Sequence, residues 1–89
     1  MKTAFKESFA RDLKRLKDKT VFEQVKAAIE QVEQAATLQE VSRLKRLVGS
    51  GGNYYRIRIG DYRVGLIVDS EVVIFVRCLN RKEIYRFFP

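Results

Sequence analysis

Residues 54–85 read YYRIRIGDYRVGLIVDSEVVIFVRCLNRKEIY, and the alternation at their start decides the fold. Tyr55, Ile57 and Ile59 alternate with Tyr54, Arg56 and Arg58, the period of a strand with one buried face. Gly60-Asp61 follows as a two-residue turn whose first residue tolerates positive φ, so a β-hairpin is expected. Loop length fixes the register, placing Ile59 opposite Tyr62, Arg58 opposite Arg63, Ile57 opposite Val64 and Tyr55 opposite Leu66. One face of the hairpin is then apolar, and the other carries Arg56, Arg58 and Arg63.

Val72 to Cys78 is a second apolar run with β-branched residues, reached through Asp69-Ser70-Glu71. A three-residue loop there sets Val68 opposite Val72 and Arg63 opposite Arg77. A two-residue loop would turn Arg77 onto the buried face beside Tyr62, where an unpaired charge is very costly, so the three-residue register is expected. Arginines then stand abreast on three strands. Like charges facing one another destabilise a sheet, and such a row calls for an anion. Phosphate suits it, since the planar guanidinium fork matches phosphate oxygens in bidentate fashion. A charged outer face can also be nothing more than solvated surface, and the residues alone leave both readings open.

Outward from this sheet, the 89 residues, 46% hydrophobic and 33% charged, fit one domain spanning 1–89. A chain of this size buries only roughly 60 to 65% of its unfolded surface, so a deep cofactor pocket is not expected. Function should lie on a surface or in a shallow groove. The formal charge of +7 is unevenly placed. Residues 1–19 carry seven basic and three acidic groups, 20–42 one and four, 43–63 six and one, and 64–89 four and three. The excess peaks around the first hairpin, which favours a polyanionic partner and salt-sensitive binding.

One cysteine, Cys78, precludes an internal disulfide or a CxxC site, and the composition suits a reducing cytoplasm. Its place in an apolar strand makes it a core residue, not a nucleophile. There is no histidine, which excludes Ser-His-Asp and Cys-His catalysis and histidine zinc sites; no metal and no cofactor are expected. No signal peptide is read at the N-terminus, and no apolar run is long enough to span a bilayer, so no membrane partner is expected.

Lys2 to Phe5 is too short to assign from pattern, though it suits a brief strand. Phe5, Phe9, Leu13 and Leu16 then form the apolar stripe of an amphipathic helix. Thr20-Val21-Phe22-Glu23 reads as a capping box opening a second helix, with Phe22, Val25, Ile29, Val32 and Ala36 on its buried side. The two helices, joined through Asp18-Lys19, can cover one face of the sheet. Leu38, Val41, Leu44 and Val48 suggest further helical turns or an ordered loop. Gly49 to Asn53 reads as a flexible connector; its glycines precede a strand instead of opening a helix, so it is not a phosphate-binding loop. In the tail, Arg81 and Tyr85 are four apart and would share a face of a helical turn, with Phe87 and Phe88 as anchors.

The order of two helices, a basic loop, Tyr55-Arg56-Ile57-Arg58-Ile59-Gly60-Asp61-Tyr62-Arg63-Val64, a second hairpin and Arg81-x-x-x-Tyr85 resembles the RelE/ParE superfamily of small bacterial toxins. The resemblance covers nearly the whole chain. It implies an α+β fold of the RelE-like microbial RNase type: a small antiparallel sheet with two N-terminal helices on one face and the functional surface on the other. It also implies a cognate antitoxin. RelE-like members cut mRNA in the ribosomal A site without metal, whereas ParE-like members inhibit DNA gyrase. Carried over by position, Arg56 and Arg58 stand where the RelE pattern has basic residues around the scissile phosphate. Arg63 matches the arginine that clamps it, Arg81 would lie by the leaving 5′ oxygen, and Tyr85 would stack on or orient a base. Arg43, Lys45, Arg46, Arg77 and Lys82 are expected to add contacts to RNA.

Two positions depart from the pattern. Arginine replaces lysine at 56 and 58, which speaks against a general base there, because guanidinium almost never releases its proton. Asn80 stands where many relatives have histidine. Arg81 with Tyr85 favours the ribosome and its mRNA as target. Gyrase inhibition and a non-catalytic basic binding module are the alternatives.

Overall fold

The computed structural model describes residues 1–48 and 52–89. A short strand β1 (Lys2–Phe5) opens the chain, followed by helices α1 (Glu7–Arg15) and α2 (Lys19–Gln34). A 3-10 turn (Leu38–Glu40) leads into β2 (Leu44–Arg46), then β3 (Tyr54–Ile59), β4 (Tyr62–Asp69) and β5 (Val72–Asn80), and a one-turn helix α3 (Ile84–Phe87) ends the chain. The five strands form one sheet in the order β1-β5-β4-β3-β2. All neighbours run antiparallel except β1, which lies parallel to β5.

Both helices pack on one face. Phe9 of α1 and Val21, Val25, Val32 and Ala35 near or on α2 bury against Ile57, Ile59, Val64, Leu66, Val73, Phe75 and Cys78 of the three central strands. Phe5, Phe9 and Phe75 stack at the β1 edge, with centroids 5.3 to 5.9 Å apart. The buried stripe of α2 is offset by one residue from the expected one. Val21 goes inside and Phe22 stays exposed, because Val21, Val25, Ala28, Val32 and Ala35 repeat at alternating spacings of four and three. The cap differs as well. Asp18, not Thr20, holds the start of α2, its carboxylate accepting from the amides of Thr20 (2.9 Å) and Val21 (3.2 Å). Glu40 closes the following turn by accepting from the amides of Ala36 and Thr37.

The β3–β4 hairpin has the expected register throughout, with Gly60 at φ 55° in its turn. The β4–β5 hairpin does not. Its loop is the two-residue Ser70-Glu71, Val68 faces Val73, and Arg63 faces Leu79 instead of Arg77. A β-bulge makes this possible: Leu66 pairs with Phe75 and Gly65 with Arg77, leaving Val76 as an extra residue. The expectation of a three-residue loop rested on Arg77 lacking a partner inside, and it has one, Asp12.

Leu44 to Arg46 form an edge strand, not helical turns, pairing Leu44 with Ile57, Lys45 with Arg56 and Arg46 with Tyr55. The first part of the expected connector, residues 49–51, lies outside the described residues.

Candidate RNA-contacting face

The sheet face turned away from α1 and α2 is divided in two. Along one half, Tyr54 and the glycine at 65 receive the C-terminal tail. Phe88 is buried, its ring edge-on to Tyr54 at 5.6 Å, and a Cβ on Gly65 would stand 2.6 Å from that ring. Ile84 is fully buried beside it. Toward the Gly60-Asp61 turn Arg58 and Arg63 face one another, and Arg56, the cross-strand partner of Gly65, stands at the border between the two halves.

Arg63 is the centre of this half. Its Nη1 donates to the carbonyls of Gly60 and Tyr62, both at 2.9 Å, which pins the guanidinium against the turn. Its pKa lies below the ordinary arginine value, first because of burial and then because Arg56, Arg58 and Arg81 repel its charge, with Tyr85 acting in the opposite sense. Arg58 stands opposite Arg63 with Arg56 two residues along β3, Arg81 is tied to the adjoining Asp61 turn, and Tyr85 lies close enough to act on the Arg63 charge, so the five expected residues gather on one region of the face.

Arg81 and Tyr85 meet there by a different route from the expected one. Helix α3 starts only at Ile84, so the two do not share a helical face. Arg81 is instead tied to the first hairpin, its amide donating to the Asp61 carbonyl at 2.7 Å and its Nε lying 3.8 Å from the Asp61 carboxylate. Asn80 uses its side-chain oxygen to accept from the Lys82 amide (3.0 Å), turning the chain out of β5. Tyr85 is 57% exposed, an aromatic presented to solvent.

The five supplementary cations separate. Lys45 pairs with Arg56 and shares its face, whereas Arg46, one residue on, stands on the opposite face beside Tyr55. Arg43 takes a left-handed φ of 62°, and its carbonyl accepts from Arg56 Nη1 (3.0 Å) and the Arg58 amide (3.2 Å), bracing both arginines. Lys82 is exposed and lines a shallow cleft with Asp61, Tyr62, Asn80 and Arg81. Arg77 is committed elsewhere: its Nε and Nη2 donate to Asp12 at 2.8 and 3.1 Å, which raises its pKa, the hydrogen bond outweighing burial. Asp12 also accepts from the Cys78 amide at 2.9 Å. Burial, and then the Asp12 charge, push the Cys78 thiol up to about 12, so it is protonated and inert at neutral pH.

Asp12 escaped the sequence reading although a signal was there. It falls three residues after Phe9 and one before Leu13, so a carboxylate occupies the apolar stripe of α1. An acid on a buried stripe requires a buried partner.

Residues 4–85 match the family model described as ParE toxin of type II toxin-antitoxin system, parDE. The chain is 36% identical to Toxin RelE3 of Methanocaldococcus jannaschii over 89 residues, covering the whole of both proteins. Its fold matches the crystal structure of the RelB-RelE antitoxin-toxin complex from Methanococcus jannaschii, with TM-score 0.82 and 36% identity over 97% of this chain and 99% of that one. The archaeal RelE-RelB complex from Pyrococcus horikoshii shares the fold at TM-score 0.72, with 23% identity over 90% of this chain and 93% of that one. The arginine-faced sheet, the two helices behind it and these likenesses together make the chain a RelE-like member of the RelE/ParE superfamily, the toxins of type II toxin-antitoxin systems.

Proposed function

We propose that this toxin is a ribosome-dependent mRNA endoribonuclease that acts in the cytoplasm and is silenced by a cognate antitoxin. The observation that carries the reading is the convergence of Arg56, Arg58, Arg81 and Tyr85 on the pinned guanidinium of Arg63. Four cations with one exposed aromatic suit a single strand of RNA, where phosphates meet the guanidiniums and an unstacked base meets the ring. Double-stranded nucleic acid would leave the aromatic without a base to contact.

In the reaction, the ribose 2′-OH attacks the adjacent phosphorus and gives up its proton, the bond to the 5′ oxygen breaks, and that oxygen takes a proton. The products are a 2′,3′-cyclic phosphate and a free 5′-OH. Arg63 holds the phosphate and stabilises the charge that grows on its oxygens. Arg56 and Arg58 add to that field, and Arg81 stands by the leaving oxygen. These guanidiniums keep their protons and act through charge and geometry, not as bases. Tyr85 orients the base so that the 2′-OH lies in line. Lys45 extends the phosphate track along the edge strand, while Arg77, engaged by Asp12, is left out of it.

An antitoxin partner is supported by the RelB-RelE complex, in which a relative of this chain is bound by its antitoxin. Here an acidic or amphipathic segment would cover the arginine face or displace the tail. The match to the ParE toxin model favours a second reading, inhibition of DNA gyrase without nuclease chemistry. Inducing the protein in cells and mapping mRNA 5′ ends, with Arg63→Ala beside it and purified gyrase assayed in parallel, separates the two. New in-frame ends that vanish in the variant support cleavage; intact messages with inhibited gyrase support the second reading.

A further inference from the structure

Helix α1 grips the bulge of β5 from behind. Ser8 Oγ donates to the carbonyl of Val76, the extra residue, at 2.6 Å, and Asp12, four residues on and so on the same side of α1, takes the Arg77 fork and the Cys78 amide. The carboxylate is 5% exposed and Arg77 makes two parallel bonds to it, so the plane of the guanidinium is fixed. That plane carries the ring of Phe87, whose centroid lies 5.1 Å from the guanidinium carbon. Phe87 is 56% exposed, and the Arg77 guanidinium covers one face of its ring.

Two residues earlier stands Tyr85. Helix α3 has only four residues and is not stable by itself. Ile84 and Phe88, four apart and both buried, turn one side of α3 to the sheet; the Phe87 stack on Arg77 is a third contact, on the exposed side that also carries Tyr85, and it bears on where the Tyr85 ring points. We propose that Asp12, Arg77 and Phe87 are positioning residues for Tyr85: the carboxylate orients the guanidinium, the guanidinium seats Phe87, and Phe87 sets the turn of α3 that presents Tyr85 to the substrate base. The inference rests on the RNA-cleavage reading for its consequence, not for its geometry. A merely structural ion pair would stabilise the bulge and leave Tyr85 indifferent to Phe87.

Phe87→Ala removes an exposed side chain and keeps the core, so the variant folds. Cleavage of mRNA on programmed ribosomes should slow by about 10- to 100-fold in kcat, with KM within about twofold, because misplacement of a positioning group costs rate and not affinity. Phe87→Trp, which restacks on Arg77, should restore most of the rate. Arg77→Lys keeps the charge and loses the plane, and it should behave like Phe87→Ala; full activity there would overturn the proposal. Amide relaxation supplies a readout free of activity: the Tyr85 order parameter should drop from about 0.85 toward about 0.6 in Phe87→Ala, with Arg63 unchanged. An unchanged Tyr85 overturns the positioning role whatever the rates do. A wild-type protein that cleaves nothing overturns the nuclease reading alone, and the relaxation comparison still decides the proposal.

Discussion

The two hairpins of this sheet contribute to the same face by opposite means. The first, β3–β4, is regular: local alternation and a glycine turn fix its register, and Arg56, Arg58 and Arg63 follow from that register alone. The second, β4–β5, is irregular. Its bulge is held by Ser8 and Asp12 from a helix more than sixty residues away in sequence, and its contribution arrives after the strand has ended, through Arg81 and Tyr85. The regular hairpin carries the charge, and the irregular one aims what surrounds it.

That division can be broken at four points. Arg63→Ala should have the largest effect, lowering cleavage by roughly 10²- to 10³-fold, as loss of one transition-state donor does elsewhere, while thermal unfolding stays close to wild type. Arg63→Lys should recover only a small part of the loss, since lysine lacks the fork. Asp12→Ala strikes the second hairpin. It strands Arg77 and the Cys78 amide, and denaturant unfolding should show a loss of roughly 2 to 3 kcal/mol, less than for a fully buried pair because 21% of the Arg77 side chain is exposed. Gly65→Ala drives a methyl into the Phe88 ring; overpacking should cost about 1 to 2 kcal/mol and loosen the tail, visible as faster amide exchange at Tyr85 and Arg86. Asp61→Asn should have the smallest effect, under about 0.5 kcal/mol, because its ion pair with Arg81 is long and both partners are exposed. A larger destabilisation there would mean that the two hairpins are coupled through their tips and not through the bulge.

The same contrast explains what the sequence disclosed. In the first hairpin every determinant lies within ten residues: alternating isoleucine and arginine, then Gly-Asp. In the second, the loop residue that takes a left-handed φ of 55° is Ser70, which gives none of glycine's warning. Elimination then failed because it priced Arg77 as unpaired when Asp12, on the buried stripe of α1, was waiting for it. Strand β2 was hidden for a related reason. Leu44, Lys45 and Arg46 hold one apolar residue, and they become a strand because the edge of β3 offers unpaired amides. The cap of α2 moved from Thr20 to Asp18 because the carboxylate reaches two free amides at once. The arginine row of the first hairpin was legible because its determinants are local, and the Asp12–Arg77 contact at the bulge was not, since its partners meet only in the tertiary fold.

The ends of the mRNA fragments distinguish transesterification on the Arg63 face from every other outcome. Purified protein is added to ribosomes stalled with mRNA in the A site, and the fragment ends are identified for the wild type and for Arg63→Ala. Attack by the 2′-OH leaves a 2′,3′-cyclic phosphate, or the 3′-phosphate it opens to, on the upstream fragment and a 5′-OH on the downstream one, and both should be lost in the variant. Intact mRNA, or fragments carrying a 5′-phosphate and a 3′-OH, would contradict it.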